Sequence, residues 1–297
     1  MRVANVAGRC NIVLDGLAYD VERASGGRFG ADPQAAFERW DELNGWASGV
    51  EWASAPPIEP RALELGDLGA PAPRPRQVFA IGLNYRQHAA EANLPLPDYP
   101  VVFTKFPSCI AGPFSELPLP SGNVDWEVEM VAVMGREARQ ISEGRAWDHV
   151  AGIAVGQDIS ERVVQGRPPQ PQFSMGKSFP YFGPFGPDIV TIDEVPDPDD
   201  VELRCTVNGE LVQHASTSDL IFSVPEIIAY LSSIATLYPG DVIFTGTPSG
   251  VGAARKPAWF LRAGDVVASE LVGISRIEQR CTASDRTDHQ DASALIS

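Results

Sequence analysis

Apolar and polar residues alternate along much of this chain in short stretches, the period of a pleated strand. At the start, residues 2–7 and 11–14 read as strands, followed by a turn at Asp15-Gly16. Over residues 33–43 the period lengthens, and Ala36, Phe37, Trp40 and Leu43 fall on one side of a helix. Strand patterns then dominate, at 77–81, 101–105, 126–134, 149–157, 202–207, 241–245 and 265–275. Asn208-Gly209 and Pro239-Gly240 supply turns between several of them. Two further helices are expected at 85–93 and 225–235.

Composition supports a mixed, β-rich α+β fold. The chain has 297 residues with 27 Gly and 26 Pro, well above the roughly 12% combined share of an average protein. Residues 1–55 form a small unit in this reading, and the Pro-rich stretch 56–76 is a linker wrapped over the surface. Residues 77–281 form the main domain and 282–297 a polar tail.

The formal net charge of −16, with no Lys/Arg run, disfavours a nucleic-acid partner. It also means that a pocket for an anionic substrate must carry its own local cations. The four cysteines lack paired spacing, so neither a zinc site nor a disulfide scaffold is indicated. No signal peptide and no run approaching ~18 apolar residues is found, so no membrane association is expected and a cytoplasmic setting is.

Candidate chemistry is carried by five segments. In Asp125-Trp126-Glu127-Val128-Glu129, alternation places Glu127 and Glu129 on one strand face. Two such carboxylates repel unless a cation lies between them, and a hard divalent ion prefers oxygen ligands; the alternative is a solvated face. Asp158 ends an apolar strand in Gly156-Gln157-Asp158, a common ligand position and a commoner helix cap. His88 and Glu91 share a helix face, where a carboxylate raises imidazole basicity, although HxxE alone is weak. Lys177 follows Met175-Gly176 and suits a carboxylate or developing oxyanion, or else snorkels at the surface. Thr245-Gly246-Thr247-Pro248-Ser249-Gly250 could bring backbone N–H groups to an anion, or be a tight turn.

Together these segments resemble the fumarylacetoacetate hydrolase family. The matching stretches are Ile81-Gly82-Leu83-Asn84-Tyr85 with His88 and Glu91, Asp125 to Glu129, Gly156 to Arg162, Gly176-Lys177-Ser178-Phe179 with Gly183 to Pro187, and Thr245 to Pro248, in the family's order over residues 77 to about 275. The small N-terminal unit is similar to that of two-domain bacterial members. The resemblance implies a β-roll catalytic domain, a homodimer and one Mg²⁺ or Mn²⁺ held by Glu127, Glu129 and Asp158. It implies His88 with Glu91 as a water-activating dyad, Lys177 as a catalytic cation, and Arg162, Gln165, Thr247 and Lys105 as substrate contacts.

Two positions depart from the pattern. Ile81 stands where longer animal-type members have a further ligand Asp, and Pro180 stands where many members have Asp. The expected activity is hydrolysis of a C–C bond in a small 2,4-dioxo acid of the acylpyruvate or fumarylpyruvate type. Oxaloacetate-type decarboxylation and 2-hydroxy-dienoate isomerisation would use the same metal-enolate chemistry. A non-catalytic metal-binding protein would leave the dyad unused.

Overall fold

The computed structural model describes residues 1–54 and 56–284. Its fold is the expected sheet-rich α+β arrangement. Neither of the two main sheets among the described residues closes into a barrel. The larger sheet runs Arg61–Ala62, Leu17–Asp20, Arg9–Leu14, Arg2–Val6, Gly183–Val190, Val150–Gln157, Val128–Met134, Val242–Phe244, Val78–Gly82 and Val101–Thr104. The smaller runs Glu210–Ser216, Glu202–Val207, Val266–Leu271, Ser275–Ala283 and Glu116–Leu119.

The strand Val128–Met134 explains the packing. Its even positions, Val128, Met130, Ala132 and Met134, join Leu203, Cys205, Val207, Val267 and Ile277 in one core cluster. Val131 and Val133 join Ile189, Phe244, Phe37, Trp40 and Leu43 in a second. Both faces are therefore buried, which is why the strand reads as nearly continuous apolar sequence. Glu129 is the one carboxylate set into it.

The N-terminal strands join the rest of the larger sheet edge to edge, with Arg2 opposite Val190 and Ala4 opposite Asp188. The Pro-rich stretch contributes two short strands to it, Arg61–Ala62 beside Leu17–Asp20 and Leu68–Gly69 beside Arg2–Val6. The Asp15-Gly16 turn is present, with both residues at positive φ (49° and 74°).

Several elements differ from the sequence reading. The helix expected over 33–43 begins as a 3₁₀ turn, Ala35–Arg39, and becomes α-helical at Trp40–Ser48. The single strand expected at 265–275 is two, Val266–Leu271 and Ser275–Ala283, reversed at Gly273 (φ 75°). Thr282 and Ala283, assigned to the tail, pair with Pro118 and Leu119, whereas 285–297 lie outside the described residues. Gly183–Val190 was not read as a strand at all, because its two glycines and two prolines argue against one. The helix Val224–Ile234 has a full capping box between Ser223 and Glu226 and Pro225 in its first turn.

Candidate active site

The site forms where two central strands give out. Glu127 immediately precedes Val128–Met134, Glu129 lies within it, and Asp158 follows Val150–Gln157 directly. Asp158 N donates to Glu127 O (2.9 Å), which fixes the two strand ends side by side. One carboxylate oxygen from each of Glu127, Glu129 and Asp158 lies within 4.8 Å of the others, and all three residues are buried. Among the described residues this is the one group of that kind.

The three carboxylates are not equivalent. Burial works against ionised Glu127, but Lys177 and Arg162 beside it hold its pKa down at about 2. Glu129 is pushed well above the ordinary carboxylate range by burial, then by Asp158 and Glu127. It accepts one hydrogen bond from Gly246 N (2.7 Å) and has no ion pair among the described residues. A buried carboxylate beside two others, without a cation of its own, fits an all-oxygen divalent-cation site.

Two lysines and Arg162 supply the nearest positive charge. Lys177 Nζ bridges Glu127 Oε2 (2.7 Å) and Asp158 Oδ2 (2.6 Å) and donates to Ser160 Oγ (2.8 Å). Burial opposes its charge, yet Asp158 and Glu127 hold its pKa above the ordinary lysine value. Lys105, expected at the pocket edge, lies behind the site instead. Its buried Nζ donates to Asp158 Oδ1 (2.6 Å), Phe182 O (3.2 Å) and Lys177 O. An ammonium has three N–H groups, so none is left for a substrate. The physical reason is burial: a lysine this deep needs every donor paired.

His88 and Glu91 lie on the helix Arg86–Glu91, with His88 Nδ1 3.2 Å from Glu91 Oε2. A carboxylate only accepts, so Nδ1 is the donor of this pair. Glu91 is in turn held by Gly250 N, 3.0 Å from its Oε1. The glycine-bearing loop does bind anions, but they are the protein's own: Gly246 N reaches Glu129 (2.7 Å), Gly250 N Glu91, and Gly252 N Asp125 (2.7 Å). At Gly250 a positive φ of 105° and the approach of Val212 O, 2.0 Å from where a Cβ would stand, exclude other residues.

A cavity of about 230 Å³ joins these parts, lined by Glu127, Lys177, Arg162, Gln165, Thr247 and His88 on its polar side. Ile81, Leu83, Leu94, Val101, Phe103 and Phe173 form an apolar wall. Ile81 thus presents hydrocarbon to the cavity. Thr247 Oγ1 donates to Val128 O (3.0 Å) and accepts from Gln213 Nε2 (2.8 Å), so its proton is already committed. Arg162 is held by Asp125 and Glu127, and its Nη1 also donates to Gln165 Oε1 (2.8 Å). Pro180 sits in a turn closed by Phe182 N to Phe179 O (3.1 Å).

Sequence reasoning missed three supporting residues. Gln157 Oε1 accepts from Glu127 N (2.7 Å), and Gln213 Oε1 accepts from Val128 N (2.9 Å). Asp125 anchors Arg162. Gln157 and Asp125 stood inside quoted motifs, and their burial was the missing signal; Gln213 lies on a strand that was not foreseen.

Comparison with known proteins follows the same outline. The family model for fumarylacetoacetate (FAA) hydrolase, C-terminal, matches residues 77–282. The human mitochondrial oxaloacetate tautomerase FAHD2A is 46% identical over 217 residues, covering 72% of this chain and 68% of the relative. A crystal structure from Mycobacterium smegmatis of provisional HpcE assignment is 52% identical, with a TM-score of 0.91 over 96% of this chain and 100% of that one. Maleylpyruvate hydrolase from Sphingobium sp. SYK-6, solved with manganese(II) and pyruvate, is 26% identical, with a TM-score of 0.78 over 96% and 100%. No helix among the described residues is long and apolar enough to cross a membrane.

Proposed function

Because this chain belongs to the fumarylacetoacetate hydrolase family, we propose that it is a divalent-metal-dependent enzyme that moves a proton between keto and enol forms of a small 2-oxo acid of the oxaloacetate class. The observation that carries this reading is one small cavity lined by both the His88 imidazole and Glu127, the outermost member of the carboxylate cluster. The 46% identical tautomerase relative supports the substrate class. The expected C–C hydrolysis becomes the second reading, favoured by the apolar wall, which would house an acyl chain. Decarboxylation of oxaloacetate is the outcome expected if C3 protonation follows loss of CO₂.

Glu127, Glu129 and Asp158 would hold Mg²⁺ or Mn²⁺. Bound there, the cation would supply Lewis acidity toward a 2-oxo group and its enolate oxygen. The chain's own residues do the rest. His88 Nε2 takes a proton from C3 of the keto form and gives it to the oxygen on C2, or carries it the opposite way when the enol decays, with Glu91 fixing the tautomer and stabilising the transient imidazolium. Lys177 and Arg162 offset the buried carboxylates, so that with a divalent cation bound the site would be net positive toward a substrate carboxylate in an otherwise acidic protein. The apolar wall excludes water from the carbanionic carbon.

The test follows the decay of the oxaloacetate enol absorbance with Mg²⁺ or Mn²⁺ and with a chelator. Metal-dependent acceleration is expected. An enol decay no faster than in buffer, together with metal-dependent cleavage of an acylpyruvate, would install the hydrolase reading instead.

A further inference from the structure

Among the buried carboxylates outside the proposed ligand set, Asp125 touches the site through Arg162. Asp125 is 0% exposed. Its Oδ1 accepts from Trp126 N (2.9 Å) and Gly252 N (2.7 Å), and its Oδ2 from Ala253 N (2.9 Å) and Arg162 Nε (2.8 Å), with Arg162 Nη2 at 2.7 Å. Arg162 Nη1, on the other prong, lies 2.7 Å from Glu127 Oε1. One guanidinium is thus shared between a carboxylate proposed as a ligand and one that is not. The approach of the 250–254 loop needs Gly252, because a Cβ there would stand 1.9 Å from Trp259 O and 2.8 Å from Asp125 Oδ1.

Charge counting gives this sharing a purpose. Lys105, Arg162 and Lys177 face Asp125, Glu127, Glu129 and Asp158, which leaves the ionised cluster one negative charge to set against a divalent cation. Without Asp125, the whole of Arg162's charge would act on Glu127, and a cation so close would repel a metal ion bound to the same carboxylate. We propose that Asp125 is a positioning residue that draws charge from Arg162 and thereby keeps Glu127 available as a metal ligand. The inference rests on the metal-centre reading above.

Mn²⁺ binding to the metal-free full chain, measured by calorimetry with circular dichroism to establish folding, tests it. Asp125→Asn should weaken Mn²⁺ binding by ~10-fold or more, since it removes a negative charge from a low-dielectric site. Arg162→Gln should bind at least as tightly as wild type. Asp125 keeps three backbone donors in that variant, so it remains satisfied. The double variant restores the charge count and should return to within about 3-fold of wild type, a rescue of the Asp125→Asn loss that a purely structural role would not produce. A double variant as weak as Asp125→Asn, or an unaltered Asp125→Asn, overturns the proposal. If Asp125→Asn does not fold, Arg162→Gln decides alone: wild-type or tighter affinity supports it, and a ~10-fold loss overturns it. A wild type that binds no Mn²⁺ removes the metal centre, and this role with it; failure confined to the variants leaves the metal centre standing.

Discussion

The two ends of the cavity are built to different standards. At the carboxylate end, Glu127, Glu129 and Asp158 hang from buried central strands, and their backbone or side chains are tied by Gln157, Lys105, Lys177 and Gly246, with Gln213 holding the intervening Val128 N. At the imidazole end, His88 rides a six-residue helix, Arg86–Glu91, whose N-cap Tyr85 makes no side-chain cap. That helix is held by Glu91 to Gly250 N and by Arg86 Nη1 to Leu220 O (2.8 Å), and exposed Leu94, Leu96 and Tyr99 follow it. Charges that must converge need a rigid frame, because each is costly to bury unless its partners stay in place. A group that only moves a proton needs direction more than rigidity.

The largest expected effect lies at the rigid end. Glu129→Ala should remove measurable Mn²⁺ binding and turnover, yet leave the metal-free fold at least as stable as wild type. A buried carboxylate whose pKa is raised by burial, Asp158 and Glu127 is relieved rather than missed. Retained Mn²⁺ affinity would break the comparison at its strongest point.

His88→Ala, at the other end, should depress turnover by about 10²–10⁴-fold while Mn²⁺ affinity stays within about 2-fold. Oxaloacetate decarboxylation should fall much less than enol decay or acylpyruvate hydrolysis, because CO₂ leaves without a nucleophile. Equal losses on all three would make His88 a residue that shapes the site.

Thiol chemistry sharpens the contrast in rigidity. Cys205 Sγ accepts from Gln157 Nε2 (3.4 Å), directly behind the carboxylate end, and burial pushes its pKa up to about 12. A raised pKa keeps the thiol neutral at pH 8, where an unfolded cysteine near 8.5 is partly thiolate. A disulfide reagent should therefore label Cys205 at least ~10-fold more slowly than the urea-unfolded chain. Comparable rates would mean that the frame opens locally.

The smallest expected effect is a factor of two. Leu94, Leu96, Tyr99 and Phe106 are exposed beside Val101–Thr104, which is an edge strand among the described residues, and a second copy of the chain is proposed to cover them. Light scattering should give twice 32.0 kDa at micromolar concentration. A monomer mass there would overturn the homodimer.

What the sequence disclosed, and what it hid, divides by distance along the chain. Strand alternation was enough to put Glu127 and Glu129 on one face, and helix spacing enough to pair His88 with Glu91. The strand Glu202–Val207 and the helix Val224–Ile234 lie where a strand at 202–207 and a helix at 225–235 were expected. Lys105 was misplaced because its partners Asp158 and Phe182 are 53 and 77 residues away. Asp125 gave no sign of its role for the same reason, since Gly252 lies 127 residues beyond it. Glu210–Ser216, which carries Gln213, has too many polar residues to be read as a buried strand. Long-range pairing leaves no local pattern.

The junction between Arg2–Val6 and Gly183–Val190 has a consequence for synthesis. A strand made at the beginning must wait for one made some 188 residues later, Arg2 meeting Val190. Until then the edge that will receive it does not exist, and the N-terminal hairpin stands in solution with an open side. Such high contact order slows folding and lengthens exposure to other chains. A fragment beginning at the catalytic segment would inherit the converse defect. Its Gly183–Val190 edge would be bare over three ladder positions, ready to recruit the wrong strand and aggregate.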